Sequence, residues 1–186
     1  MLADSAARWL LVLHTALGVA AVGAATHLWL WLRRYLHGQH GLRRSVVRFA
    51  WLVLALQLAA FACGNAMYPT YKVEVRAAYL ENATSIAATQ TAHVRELERL
   101  GAREQPTATA ELVRRAAAAA RWFDVKEHWV ALGILVSAAL VLVLALWRPD
   151  DGPAIAPIVL GLATIAAATL WLAAIIGVLT ASWRAV

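Results

Sequence analysis

Acidic side chains are missing from the four long apolar stretches of this sequence, residues 9–32, 46–66, 129–147 and 154–181. Proteins that move charge through a membrane commonly carry ionisable side chains at mid-depth, so this absence argues against that class. The chain has a single cysteine, Cys63, which excludes an internal disulfide and a metal site built from several thiolates. Motifs of soluble catalysis are also missing, since there is no nucleotide-binding glycine loop, no HExxH and no GxSxG.

The apolar stretches themselves are the main positive signal. Each is long enough to cross a bilayer core about 30 Å thick, because a helix rises about 1.5 Å per residue. Hydrophobic residues make up 62% of the chain and its mean hydropathy is +0.63, which exceeds the usual share of a soluble domain. We therefore predict an all-α integral membrane protein, one domain over residues 1–186, folded as an up-and-down four-helix bundle.

Basic residues indicate how the chain is oriented. The net charge is +6, and five arginines lie in or beside the short connection between the first two stretches: Arg33, Arg34, Arg43, Arg44 and Arg48. Such clustering at membrane ends marks the cytoplasmic side, so the charge indicates topology and no nucleic-acid partner. We predict the inner (cytoplasmic) membrane of a bacterium, with the N-terminus and the C-terminus outside.

The long segment 67–128 between the second and third stretches is predicted to form a helical hairpin outside the membrane. Pro69 should end the second helix, because proline lacks the backbone donor and restricts the residue before it. A polar helix is expected over 71–104, with Pro106 beyond it. The region 111–147 contains no proline, so it should form one helix of about 55 Å that projects beyond the bilayer. The hairpin is the expected docking surface for other membrane protein subunits.

Two histidines are predicted to reach the same outer level of the bundle. His14 lies near the outer end of the first helix, and His128 lies at the outer end of the third. Paired imidazoles can hold a b-type haem axially or bind a metal ion. Tyr68, Arg76 and Lys126 would form a polar mouth over this site, suited to haem propionates or to a quinone headgroup.

The alternative for each histidine is a structural role, in which its ring donates to a backbone carbonyl and binds nothing. His27, His37 and His40 show no third ligand that would make a metal site, and their role stays open. Three hypotheses for function follow. The first is an electron-transfer subunit with one haem b and a quinone site. The second is a non-catalytic accessory or assembly subunit of a larger respiratory-type complex. The third is a small transporter, which the lack of mid-depth charges and of broken helices disfavours.

Overall fold

The computed structural model describes residues 5–102, 107–149 and 152–182, and over these residues the chain is helical without strands. The α-helices are α1 (Ser5–Leu36), α2 (Arg43–Thr70), α3 (Ala83–Arg99), α4 (Thr109–Leu146) and α5 (Ala156–Ser182). Four of these regions, those built on α1, α2, α4 and α5, are long and apolar enough to cross a membrane. The predicted all-α class is confirmed, and so is the number of candidate membrane helices in the described part of the chain.

The prediction that Pro69 ends the second helix is wrong. Helix α2 passes through Pro69 and continues as a π-helical segment, Tyr71–Leu80, in which the backbone is wider than in an α-helix. Proline removes the hydrogen bond to the carbonyl four residues earlier, that of Asn65. Asn65 is exposed near the end of α2, so its carbonyl does not have to remain unpaired in a packed core.

The predicted helix over 71–104 is two helical pieces. The π segment ends where the Glu81 N–H donates to the Arg76 carbonyl at 2.9 Å. Asn82 then begins α3, because its side-chain oxygen accepts from the backbone N–H groups of Thr84 and Ser85, each at 3.1 Å. Residues 103–106, which include Pro106, lie outside the described residues.

Helix α4 runs without interruption from Thr109 to Leu146, which confirms the long helix predicted from the lack of proline. Its first turns pack against α3 and the π segment through a small apolar core: Val75, Leu80, Ile86, Ala116 and Ala120. Its remaining turns belong to a second, larger core shared by the four long apolar helices.

The larger core is formed by packing between four pairs of helices. Helix α1 packs against α2 and α5, and α4 packs against the same two helices. Each long apolar helix therefore has two neighbours, and residues from all four helices can meet at one level.

Candidate functional site

His14 is the best-defined polar side chain near the N-terminal end of α1. Its Nδ1 lies 2.8 Å from the carbonyl oxygen of Ala60 on α2, and the ring is half-buried. A carbonyl oxygen can only accept, so Nδ1 carries the proton and Nε2 of the neutral ring is left as an acceptor. A Cβ added to Gly64, one turn along α2, would lie 3.4 Å from His14 Cε1, so the ring packs closely against α2 at this glycine.

Lys126 on α4 brings a cation to the same level. Its Nζ lies 3.4 Å from the position that a Cβ on Gly177 would take, so the ammonium rests against the backbone of α5. No carboxylate of the described chain lies within ion-pair distance of it. We call His14, Gly64, Lys126 and Gly177 the outer site.

The four residues of the outer site come from four different helices and lie at similar heights. Each is about 30 Å, by helix rise, from the end of its helix at the short connections. That distance is about the thickness of a hydrocarbon core. The outer site therefore lies where the interior of the helix assembly would meet the membrane interface.

His128 has the predicted height and a different direction. Its ring is exposed, and its Nδ1 donates to the carbonyl of Asp124, one turn back on the same helix, at 2.8 Å. It follows Lys126 by two residues, which turns it about 200° around α4, away from the face that carries Lys126. The structure thus gives both histidines a free Nε2 but does not bring His14 and His128 together.

The residues present do not fit a haem held between His14 and His128, because the second ligand faces away from the first. Each of the two histidines has by itself the protonation that axial ligation requires, with Nδ1–H bonded to a carbonyl and Nε2 free. In the three described ranges, no group of three or more His, Cys, Asp and Glu side chains could hold a metal ion.

Arg76 is engaged in ion pairs with protein groups. Its guanidinium bonds Glu81 and Asp124, each at 2.7 Å, and so ties the π segment to α4. Both pairs are partly exposed, which limits what they contribute to stability. The predicted role of Arg76 as a partner for haem propionates would require it to leave these carboxylates.

Aromatic rings connect the π segment with Lys126. Tyr71 stacks on Phe123 with ring centroids 4.0 Å apart, and Tyr68 lies next to Tyr71 at 6.3 Å. Lys126 Nζ lies 5.7 Å from the Phe123 centroid. The row Tyr68, Tyr71 and Phe123 therefore leads to the ammonium group of the outer site.

A second set of polar residues lies deeper in the helix assembly than the outer site, and the sequence does not predict that its members meet. Gln57, Ser137 and Thr169 are the buried polar residues of the described chain. Gly133 is buried as well and lies on α4 one turn before Ser137. A Cβ on Gly133 would lie 2.6 Å from Thr169 Cγ2 and 3.4 Å from Gln57 Nε2. We call Gln57, Gly133, Ser137 and Thr169 the inner cluster. Its one sequence signal is that Gly133 is the only glycine between 111 and 147.

The outer site supplies a hydrogen-bond acceptor and a cation that has no carboxylate partner among the described residues, and a stacked pair of aromatic rings lies beside it. Such a set suits a planar ligand that carries oxygen atoms on its ring. Neither a protein-family model nor a curated protein nor a solved structure matches this chain.

Proposed function

We propose that this chain is a membrane subunit of an electron-transfer complex and that its outer site binds the headgroup of a quinol or quinone. The observation that carries this proposal is that His14 on α1 and Lys126 on α4 lie at one level of the helix assembly. His14 Nε2 can accept a hydrogen bond from a quinol hydroxyl, and Lys126 can donate to an oxygen of either redox form. Neither side chain has another group of the described chain that satisfies this capacity.

The surroundings of the two groups support a flat ligand. Gly64 and Gly177 present no side chain, so the His14 ring and the Lys126 ammonium themselves lie close to the backbone of α2 and α5. Phe123 and Tyr71 stack on each other beside Lys126, so an aromatic pair borders the position that a quinone ring would take. A quinone tail would extend into lipid at this level, where the helix assembly meets the membrane interface.

The membrane arrangement belongs to the same proposal: an up-and-down bundle in the bacterial inner membrane, with both termini and the segment 67–128 outside. The contacts between α1 and α2 pair His14 with Ala60 and His27 with Phe49, so residue numbers rise on one helix as they fall on the other. The contacts between α4 and α5 follow the same rule. The arginine-rich connection supports a cytoplasmic location for the opposite end.

Titration with a short-chain quinol tests the proposal through quenching of tryptophan fluorescence in the detergent-solubilised protein. His14→Phe keeps a ring and removes the acceptor, so we expect about a tenfold loss of quinol affinity, the value of one hydrogen bond. Affinity for the oxidised quinone should fall less, because its carbonyls cannot donate to Nε2. His128→Phe is the matched control, since His128 makes the same bond to a helix carbonyl but faces outward. Equal losses from both variants, or none from His14→Phe, would contradict the proposal.

The second candidate function is that of an accessory subunit, and exposed apolar side chains outside the long apolar stretches favour it. Val73 is 66% exposed in the π segment, and Leu100 is 70% exposed just after α3. If 67–128 lies in water, these side chains suit a docking surface for other membrane protein subunits. This candidate does not exclude a quinone site in the same chain.

Mild purification from native membranes, with a visible spectrum before and after dithionite reduction, separates the remaining possibilities. The b-type haem stays a prediction from the sequence, and a Soret band with α and β bands on reduction would support it. A colourless preparation with stoichiometric partner subunits is the result expected of an accessory subunit. A colourless and partner-free protein would remove both the haem and the accessory role.

A further inference from the structure

We propose that the inner cluster binds one or two water molecules between α2, α4 and α5, at the middle of the membrane. Gln57 and Ser137 are each only 2% exposed. Both amide atoms of Gln57 and the hydroxyl oxygen of Ser137 are buried, and none of them makes a hydrogen bond to a described protein group. Hydrocarbon offers no hydrogen bonds, so such groups are satisfied in membrane proteins by other protein groups or by water.

The position of the Gln57 amide is set by Gly133. Because glycine has no Cβ, Gln57 Nε2 reaches 3.4 Å from the position where one would stand on α4. Thr169 closes the same space from α5, but its hydroxyl donates to the Ile165 carbonyl at 2.8 Å. That hydroxyl proton is therefore not available to the Gln57 oxygen.

Ser137 differs in its hydrogen bonding from the threonines of α1 and α5. The threonine hydroxyls of α1 and α5 each donate to the carbonyl four residues earlier: Thr15, Thr26, Thr164, Thr169 and Thr180. The Ser137 hydroxyl does not bond the Gly133 carbonyl in this way. It lies one turn of α4 from Gly133, about 6 Å along the axis, and stays free for a ligand in the interior.

Water is the ligand whose chemistry matches these atoms. The amide supplies donors and an acceptor, the hydroxyl can do either, and a buried water typically makes about three hydrogen bonds. Because these polar atoms have almost no accessible area, a larger ligand cannot reach them from outside. The inner cluster shares no residue with the outer site, so this inference is independent of the proposed quinone binding.

Nuclear magnetic resonance tests whether the inner cluster binds water, with the full chain labelled with ¹⁵N at glutamine and held in detergent micelles. The Gln57 carboxamide signal is identified by its loss in Gln57→Met. We expect it to show a cross-peak to water with the sign of a long-lived bound molecule. The Gln90 carboxamide is the internal control, because its Nε2 donates to the Thr107 carbonyl at 2.7 Å.

Ser137→Ala removes one partner of the bound water and little volume, so the Gln57 cross-peak should weaken while the protein stays folded. A folded wild-type protein in which the Gln57 carboxamide has no cross-peak to water would overturn the proposal. An undiminished cross-peak in Ser137→Ala would overturn the part that Ser137 plays in it.

Discussion

Gly133→Ala is expected to lower the free energy of unfolding by about 1–3 kcal/mol, the range for overpacking a well-packed interior. The new methyl group would lie 2.6 Å from Thr169 Cγ2 and 3.3 Å from Thr169 Cβ. A β-branched side chain has little rotamer freedom in a helix, and its Cβ is fixed to the backbone, so α5 itself would have to shift. The higher helix propensity of alanine, about 1 kcal/mol, offsets only part of this loss. Thermal unfolding in detergent, followed by tryptophan fluorescence, measures the change.

Gly161→Ala on α5 is the matched control for this clash. A Cβ at Gly161 meets no heavy atom within 4 Å, so stability should stay the same or rise by up to about 1 kcal/mol. Thr169→Ser removes the Cγ2 that is approached most closely and should restore part of the stability when combined with Gly133→Ala. Equal unfolding temperatures for Gly133→Ala and the wild type would show that α4 and α5 are not this close.

Helix α4 could be predicted from its sequence because the reason for it is local. No proline interrupts the region 111–147, and continuous hydrogen bonding needs no information from distant residues. Pro69 was misjudged for the opposite reason. Whether a proline ends a helix depends on what surrounds the carbonyl that it leaves without a partner, here the exposed Asn65, and a one-dimensional pattern does not contain that information.

For the candidate sites, the sequence predicts how far along a helix a residue lies but not which direction around the helix it faces. The heights of His14 and His128 follow from a fixed rise per residue, so the sequence predicts that they lie at one level. The direction of His128 depends on which face of α4 packs against α2 and α5, and the structure turns it outward. The inner cluster depends on contacts of Gly133 with residues from two other helices. Such non-local contacts leave almost no signal in a single sequence.

Lys126→Met is expected to weaken quinone binding by about 10–100-fold, since hydrogen bonds to charged groups contribute about 1.5–3 kcal/mol. Methionine retains an unbranched apolar stem beside Phe123 and removes only the ammonium. The protein itself should be as stable as the wild type or more so, because a half-buried cation without a carboxylate partner among the described residues is costly to desolvate. If Lys126 had only a structural role, its replacement would not lower the affinity for quinone in a protein whose stability is unchanged or higher.

The other lysine of the chain, Lys72, supplies the control for charge. It is exposed in the π segment, so Lys72→Met should leave the affinity of the outer site unchanged. Lys126 donates to an oxygen of either redox form, and Lys126→Met should therefore weaken quinone and quinol binding alike. His14→Phe should lower the affinity for quinol more than the affinity for quinone, because only a hydroxyl can donate to Nε2. Two results would show that the assignment of Lys126 as donor and His14 as acceptor is wrong. One is full affinity in Lys126→Met. The other is an equal change in the affinities for quinone and quinol in both variants.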